Sequence, residues 1–245
     1  MDISSRVKEA NKKIYNDLND SYEAIDNRRS GELCSWLRKR LEMISEIVGS
    51  EANLLDVGCG GGFVVRAAKG LFPKIYGADI SENILKALPS YGGIPVCTDA
   101  QQFPFKNESM DAAVLFSVVH HFYDHRPILD EIYRVLKPGG IIYIDHDMNK
   151  YFFQNFRFFI NIYRRLSHKE RIFKNIGAQK LYSLSEFHSG GIDSERLKDH
   201  LMSLGFKIIK SYYHWYGLFP LANFIFRESE FSKNIAPLFG LVAQK

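Results

Sequence analysis

The sequence predicts an α/β fold in which helices cover a mostly parallel, doubly wound β-sheet. From Asn53 onward, short apolar runs alternate with stretches of helical periodicity, as in βαβ units. A glycine-rich segment directly follows the first apolar run, where a turn from strand to helix is expected. The chain has 245 residues, 46% hydrophobic and 24% charged, which suits one compact domain.

Periodicity places the elements up to the middle of the chain. Residues 7–18 and 31–48 repeat apolar groups at helical spacing and predict two N-terminal helices. Strands are predicted at 53–57, 74–78, 94–98, 112–117 and 141–145. Helices are predicted to begin near Gly61, Ser81 and Arg126.

Beyond Asp147 the alternation stops. Residues 151–166 form an aromatic-rich helical stretch, and polar, loop-like residues follow through Gly191; we interpret this part as an insertion. Asp193 is the expected N-cap of a late helix that Gly205 ends, and strands are predicted at 206–213 and 237–243. The single domain then divides into an N-terminal helical cap (1–50), a central core (51–147), a helical lid insertion (148–192), and a C-terminal helix with the last two strands (193–245).

Composition narrows the class of protein. The formal net charge is +4, but basic residues are scattered among acidic ones, which is typical of a solvated surface rather than of a nucleic-acid interface. Cys34, Cys59 and Cys97 form no CxxC pair and no even disulfide set, so a reducing cytoplasm is expected. The N-terminus lacks an apolar signal region, and no apolar run is long enough to cross a bilayer.

The glycine-rich turn at residues 54–63 is the first candidate binding feature. Such a turn lets the backbone approach a ligand, but alone it suits NAD, FAD or no ligand equally well. Asp79 ends the next strand, where a carboxylate can accept the hydroxyls of an adenosine ribose. Asp99 ends the third strand and, with the adjoining Ala100 and Gln101, could meet the amine of adenine. A single aspartate at a strand end is more often a cap or a turn residue, whereas a series of them favours a ligand.

Five segments in order resemble the motifs of the class I S-adenosylmethionine-dependent methyltransferases, in particular the small-molecule enzymes called methyltransferase type 11. They are residues 54–62, 76–81, 98–105, 111–122 and 129–140, so the resemblance covers about 53–147. It implies a Rossmann-like, seven-stranded sheet whose last strand is antiparallel. It also implies methyl transfer from S-adenosylmethionine to a small-molecule or lipid-like acceptor, with S-adenosylhomocysteine as the product.

The resemblance also implies which residues hold the cofactor. Asp56, Gly58 and Gly60 would hold its methionine end, Asp79 the ribose, and Asp99 with Ala100 the adenine. Ser117 and Val118 would lie beside the sulfonium. Cys59, Ile80 and Gln101 adjoin these motifs and are further expected contacts. Tyr15 and Tyr22 belong to the N-terminal segment, which covers the cofactor in many relatives. For the two tyrosines, structural packing is the alternative.

Histidines after the fourth and fifth strands are the candidate catalytic residues. His121 and His120 could act as a general base for a hydroxyl acceptor, although either could simply pack in the turn. His146 follows the fifth strand, where it could place an acceptor or cap the next helix. Adjacent strand residues point to opposite faces, so Asp145, His146 and Asp147 are not expected to converge, and no metal is predicted.

Two aromatic segments, 151–160 and 212–226, offer candidate acceptor contacts. Phe152 and Trp215 are the candidates within them, and His188 beside a glycine pair is a third. Burial in the core or a dimer surface would also explain these rings, whereas the functional alternatives are an apolar acceptor pocket or shallow membrane contact.

Other functions remain as alternatives of different strength. A cofactor-binding partner or regulator without turnover would show the same motifs. A nucleic-acid methyltransferase is disfavoured because residues 117–120 lack the Asn/Asp-Pro-Pro-aromatic motif of enzymes that act on exocyclic amines. A dehydrogenase is disfavoured by the turn at 137–140. The expected partner is therefore a small, apolar or aromatic acceptor and not a nucleic acid, and the oligomeric state stays open.

Overall fold

The computed structural model describes residues 2–18, 30–166, 179–185, 187–218 and 220–245. Seven strands form one sheet in the spatial order β3-β2-β1-β4-β5-β7-β6. Their bounds are β1 (Asn53–Val57), β2 (Lys74–Asp79), β3 (Ile94–Cys97), β4 (Met110–Phe116), β5 (Leu136–Met148), β6 (Lys207–His214) and β7 (Leu238–Gln244).

The pairing confirms the predicted Rossmann-like sheet. Strands β3, β2, β1, β4 and β5 pair in parallel, and β7 pairs antiparallel with both β5 and β6. The chain order reverses between β1 and β4, and ligands of open α/β sheets bind beside the carboxyl ends of the strands at such a point.

Helices flank the sheet, and two of them were not predicted. The helices are α1 (Ile3–Leu18), α2 (Gly31–Val48), α3 (Phe63–Ala68), α4 (Glu82–Leu85), α5 (Arg126–Val135), α6 (Lys150–Leu166), α7 (Gln179–Ser185), α8 (Ser194–Leu204) and α9 (Pro220–Phe226). Helix α7 lies within residues that we interpreted as loop, and α9 lies between the last two strands. Each has seven residues, too few for helical periodicity to show clearly.

The caps of α8 agree with the prediction. The Asp193 side chain accepts a hydrogen bond from the backbone N–H of Arg196, and Gly205 ends the helix with φ 107°, a left-handed conformation that glycine adopts at low cost. None of the described helices is long and apolar enough to cross a bilayer.

Two apolar layers hold the helices against the sheet. On one face, α2 and α3 bury Leu37, Leu41 and Phe63 against the sheet. On the other, α5 and α8 bury residues such as Ile132 and Leu201. Full burial of side chains of this kind contributes roughly 1.5–3 kcal/mol each, so these layers fix the sheet whose edge carries the candidate site.

A β-bulge interrupts β5 at His146. The register with β7 shifts between Asp145 and Asp147, and His146 has a φ of 66°. As a result, the Nδ1 atom of His146 lies 3.0 Å from Oδ1 of Asp145. Strict alternation therefore fails for Asp145 and His146, whose side chains meet because of the bulge. Asp147 contacts His120 instead, so the three side chains do not converge.

Candidate active site

The glycine-rich turn after β1 has a backbone that only glycine accommodates easily. Gly58, Gly60 and Gly62 all have positive φ, at 63°, 50° and 87°. A Cβ atom on Gly58 would lie 2.2 Å from Cγ2 of Val118, which is closer than van der Waals contact. The turn therefore packs closely against the residues that follow β4. Its backbone faces the point between β1 and β4 where the strand order reverses.

Asp79, at the end of β2, fastens this turn. Its carboxylate accepts hydrogen bonds from the backbone N–H groups of Gly60 at 3.0 Å and Ser81 at 2.9 Å. Burial raises the pKa of Asp79, and the N–H donors oppose that shift. A carboxylate offers about four acceptor positions, so these two bonds leave capacity for the hydroxyls of a ribose.

Asp99 and Gln101 form the neighbouring corner, after β3. Lys8 of α1 donates to Oδ2 of Asp99 at 2.6 Å and to the side-chain oxygen of Gln101 at 2.7 Å. These two oxygens are acceptors of the kind that an adenine amine requires. Helix α1 is thus held over this corner by a partly exposed ion pair.

A cavity joins the turn, the ends of β2, β3 and β4, and helix α1. It is lined by Ser4, Val7, Lys8, Asn11, Tyr15, Gly58, Cys59, Gly60, Gly61, Phe63, Ala78, Asp79, Ile80, Thr98, Asp99, Ala100, Gln101, Ser117, Val118, His121, Phe122 and Tyr123. Of the residues expected to hold the cofactor, Asp56 is buried beneath the turn instead of lining the cavity, and Tyr22 lies outside the described residues.

The cavity also includes residues that the sequence analysis missed. Ser4, Lys8 and Asn11 reach it from α1, beside the predicted Tyr15. Their spacing of three or four residues places them on one side of a helix, so a polar stripe on α1 was the signal that could have identified them. Phe122 and Tyr123 supply apolar surface next to the predicted histidines.

Cys59 lines the cavity as a buried thiol. Burial raises its pKa well above the usual value, and the nearby carboxylates of Asp56 and Asp79 act in the same direction. The thiolate is the nucleophilic form of cysteine, so this side chain is not suited to covalent chemistry.

His121 contacts the cavity in a defined orientation. Its Nδ1 lies 2.9 Å from the carbonyl oxygen of Ser185, and its Nε2 lies 3.0 Å from the hydroxyl of Tyr15. A carbonyl oxygen only accepts hydrogen bonds, so Nδ1 carries a proton, and in the neutral ring Nε2 accepts from the Tyr15 hydroxyl. The neutral His121 ring thus has an unprotonated nitrogen on the cavity wall, hydrogen-bonded to Tyr15.

His120 has a different partner and does not line this cavity. Its Nδ1 lies 2.6 Å from Oδ1 of Asp147, and its backbone N–H donates to the same oxygen at 3.0 Å. Burial opposes ionisation of Asp147, but the hydrogen bond and charge of His120 hold the pKa of this carboxyl below its usual value. The Asp147 carboxylate thus fixes the orientation of the His120 ring through Nδ1.

His146 belongs to a buried cluster behind the cavity, centred on Asp145. One carboxylate oxygen of Asp145 accepts a hydrogen bond from the backbone N–H of His146 at 2.6 Å. The same oxygen lies 3.0 Å from Nδ1 of His146 and 2.8 Å from Nε2 of His214. The other accepts from the hydroxyls of Tyr143 and Tyr212, both at 2.6 Å. Burial opposes ionisation, but His214 and His146 hold the pKa of Asp145 well below its usual value.

The same cluster contains a set of atoms that could hold a metal ion, within the part of the chain that the structure describes. Ligand atoms of Asp145, His146 and His214 lie within 4.8 Å of one another. However, five donors already serve the Asp145 carboxylate, and Trp36 packs on both imidazole rings. We therefore interpret the cluster as a hydrogen-bonded network that closes the ends of β5, β6 and β7.

The predicted acceptor residues fall in two places. Phe152 and Trp215 pack against each other with ring centroids 5.2 Å apart, away from the cavity. His188 lines a second, shallower cavity with Lys150, Phe153, Gln154, Arg157, Phe187, Gly190 and Gly191.

The two cavities share a wall. The Phe187 ring lies 4.9 Å from that of Tyr123, His188 Nε2 lies 3.2 Å from the carbonyl oxygen of Tyr123, and the His188 N–H donates to the carbonyl of His120. Burial lowers the pKa of His188, which favours its neutral form in this wall.

Comparison with known proteins identifies related sequences over the same core. A family model described as a methyltransferase domain matches residues 55–144. An uncharacterized protein of Methanocaldococcus jannaschii is 27% identical over 98% of this chain and 92% of its own length.

Two relatives with named activities match only part of their own length. A demethylmenaquinone methyltransferase of Staphylococcus aureus is 30% identical over 55% of this chain and 59% of that enzyme. A tRNA (carboxymethyluridine(34)-5-O)-methyltransferase of Arabidopsis thaliana is 34% identical over 50% of this chain and 30% of that enzyme.

Solved structures show the same fold across most of the chain. An S-adenosylmethionine-dependent methyltransferase of Archaeoglobus fulgidus has a TM-score of 0.60 with 18% identity, covering 93% of this chain and 100% of that one. Another, of Thermotoga maritima, has a TM-score of 0.56 with 19% identity, covering 95% and 99%. At these identities, the likeness establishes the fold.

Proposed function

Because the chain belongs to the class I S-adenosylmethionine-dependent methyltransferases, we propose that it methylates a small, apolar or lipid-like acceptor held beside His121. The observation that carries the proposal is the cavity itself. The cavity extends from the glycine turn, Asp79 and Asp99 to an apolar wall formed by residues that follow β4.

The cavity residues fit the cofactor. Asp79 keeps acceptor positions for a ribose, Asp99 and Gln101 offer oxygens to an adenine amine, and the glycine backbone comes close without side chains. When bound, S-adenosylmethionine supplies a methyl group that its sulfonium already activates. The protein then mainly has to align the acceptor and exclude water.

Val118, Phe122 and Tyr123 support an apolar acceptor, because they form the cavity wall beside His121. We place the acceptor between this wall and the second cavity, where Phe153 and Phe187 add aromatic surface. A hydroxyl acceptor would need to lose a proton. His121 Nε2 can take that proton, with Tyr15 either displaced by the acceptor or acting as the bridge.

The cofactor is tested by calorimetric titration of the purified protein with S-adenosylmethionine and, separately, with NADH. Binding of S-adenosylmethionine alone supports the proposal. Binding of NADH alone, or of neither compound, would contradict it.

The acceptor is tested by measuring S-adenosylhomocysteine release with a panel of compounds. The Staphylococcus relative is named for demethylmenaquinone, so a demethylmenaquinone analogue with an isoprenoid tail is the first probe and its tail-free form the matched control. Because the Arabidopsis relative is named for carboxymethyluridine 34 of tRNA, tRNA that carries this nucleoside forms a separate arm, with unmodified tRNA as its control. Turnover on tRNA alone would overturn the small-molecule proposal, and cofactor binding without turnover on any acceptor would favour a partner or regulator.

The proposed base is tested by His121→Gln with a hydroxyl acceptor. We expect kcat to fall by roughly 10²-fold or more while affinity for S-adenosylmethionine changes little. His146→Gln is the control, because that imidazole lies in the buried cluster behind the cavity. Equal loss of kcat in both variants would remove His121 from this role.

A further inference from the structure

Helices α6 and α9 expose large apolar side chains. Phe158, Phe159 and Phe224 are 71%, 68% and 77% exposed. Together with three exposed aliphatic residues on the same helices, they form what we call the apolar surface: Phe158, Phe159, Ile162, Leu221, Phe224 and Ile225. Single exposed apolar residues are ordinary, but six on two helices of 17 and seven residues mark an interaction site.

The two helices belong to one part of the molecule. Phe152 of α6 packs on Trp215, and Trp215 packs on Phe226 of α9, with both pairs of ring centroids 5.2 Å apart. The aromatic rings of these segments therefore form two sets. Phe152, Trp215 and Phe226 connect the two helices by packing. Phe158, Phe159 and Phe224 are exposed to solvent.

Both helices also lie at the edge that carries the cofactor cavity. Helix α6 follows β5 and α9 follows β6, and these two strands run in the same direction because both pair antiparallel with β7. Lys150, Phe153 and Arg157 of α6 line the second cavity. The apolar surface thus adjoins the proposed acceptor side of the site.

The charge of α6 indicates what could cover this surface. The sequence of this helix contains four basic residues and no acidic one. Among its described side chains, Arg157 is exposed, whereas Lys150 pairs with Asp193 at 3.1 Å. The backbone of Phe156, with φ −114° and ψ 16°, departs from helical geometry and separates the packed ring of Phe152 from the exposed rings that follow. Basic residues combined with exposed phenylalanines are characteristic of helices that lie in the interface of an anionic bilayer.

We infer that the apolar surface docks this protein onto anionic lipid membranes. Phe158, Phe159 and Phe224 enter the boundary between headgroups and acyl chains, and Arg157, which is exposed beside Phe158, contacts anionic headgroups. Docking in this orientation brings the second cavity towards the bilayer, where a lipid-like acceptor would be dissolved. The inference extends the proposed function, but the docking itself does not require methyl transfer.

The test is sedimentation with vesicles of phosphatidylcholine containing about one third phosphatidylglycerol, compared with phosphatidylcholine alone. We expect the protein to sediment with the anionic vesicles, and more weakly at high salt. The triple variant Phe158→Ser, Phe159→Ser, Phe224→Ser should lose about tenfold or more of the partition coefficient. The matched control replaces Met43, Ile47 and Met202, which are 56%, 51% and 51% exposed on α2 and α8, by serine and should bind as the unaltered protein does.

Two results would overturn the inference. The first is no difference between the triple variant and the control, with circular dichroism showing both folded. The second is a dimer in light scattering that dissociates only in the triple variant, because the surface would then join two copies of the chain. Vesicle binding needs neither cofactor nor acceptor, so its failure is distinguishable from failure of the proposed methyl transfer.

Discussion

The carboxyl edge of the sheet is built differently on its two sides. We call the ends of β1 to β4 the cofactor half, and the ends of β5 and β6 with helices α6 and α9 the acceptor half. In the cofactor half, backbone N–H groups of a glycine turn bond to a carboxylate, as Gly60 does to Asp79, and the pair of Lys8 with Asp99 is partly exposed. In the acceptor half, fully buried side chains bond to one another, such as Asp145 with His214.

The difference indicates that one half is arranged for ligand binding and the other for stability of the sheet. The pairings around the glycine turn shape a cavity and leave acceptor positions available to a ligand. The buried pairings around Asp145 use up their polar groups on one another, so they mainly hold the strands together. We therefore expect substitutions in the acceptor half to change stability, and substitutions in the cofactor half to change affinity for S-adenosylmethionine.

The largest expected effect is on stability, from Asp145→Ala. This change leaves two imidazoles and the hydroxyls of Tyr143 and Tyr212 without their shared carboxylate in a buried site. We expect the free energy of unfolding to fall by about 3–5 kcal/mol, measured by urea denaturation. Protein that is still folded at low temperature should bind S-adenosylmethionine nearly as before, and a large loss of affinity would break the contrast.

The next effect is a pH dependence of stability due to His125, which follows β4 and packs on His188 where the two halves meet. Burial, and the nearby His188, lower the pKa of His125 to about 4 from a usual 6.5, while Asp147 and Asp124 oppose the shift. The unfolded chain therefore binds this proton more readily than the folded one, and stability falls as pH decreases from 6.5 to 4. Over that interval the loss due to this group is about 3 kcal/mol.

His125→Gln should remove this contribution. Urea denaturation at a series of pH values should show a shallower decline for the variant than for the unaltered protein. His200 is the control position, because its ring is partly exposed and paired with Asp130. Parallel curves for the unaltered protein and His125→Gln would show that protonation of this ring is not coupled to unfolding.

In the cofactor half, Asp79→Ala is expected to change affinity more than stability. In the proposed site this change removes one or two charge-assisted hydrogen bonds to the ribose, worth roughly 1.5–3 kcal/mol each, so we expect affinity for S-adenosylmethionine to fall at least about tenfold. Calorimetric titration measures the change. Asp79→Asn keeps one carbonyl acceptor and should lose less; unchanged affinity in both variants would place the ribose elsewhere.

The smallest effect is expected from Lys8→Met. This change removes the partly exposed ion pair with Asp99 and the bond to Gln101, which together hold α1 over the cavity. Exposed pairs contribute about 0–1 kcal/mol, so the melting temperature should change by only a few degrees. We expect faster proteolysis of α1 than of the rest of the chain, and Lys13→Met, whose pair with Asp17 lies within α1, is the control.

Most of the cofactor half could be predicted because its signals are local. The turn at Gly58 to Gly62 and the aspartates after β2 and β3 are marked by residue type at strand ends, and periodicity places the strands. The polar stripe of Lys8 and Asn11 was missed because helical periodicity was used only to find apolar faces.

The acceptor half could not be predicted in the same way. Nothing in local spacing associates His214 with Asp145, and the bulge at His146 has no reliable sequence signature. The aromatic residues of the two segments were recognised as a group, but only tertiary packing separates the buried Phe152 and the partly buried Trp215 from the exposed Phe158 and Phe224.

The bulge at His146 lets two carboxylates, only two positions apart in the chain, serve opposite faces of the sheet. Asp145 joins the cluster with His214, while Asp147 serves His120. The residues on either side of the bulge pair with consecutive residues of β7, Asp145 with Gly240 and Asp147 with Phe239. Deleting His146 would therefore leave Asp145 and Asp147 as neighbours of a regular strand, still on opposite faces, and one lost codon here would cost the cluster an imidazole without changing the register of the strand.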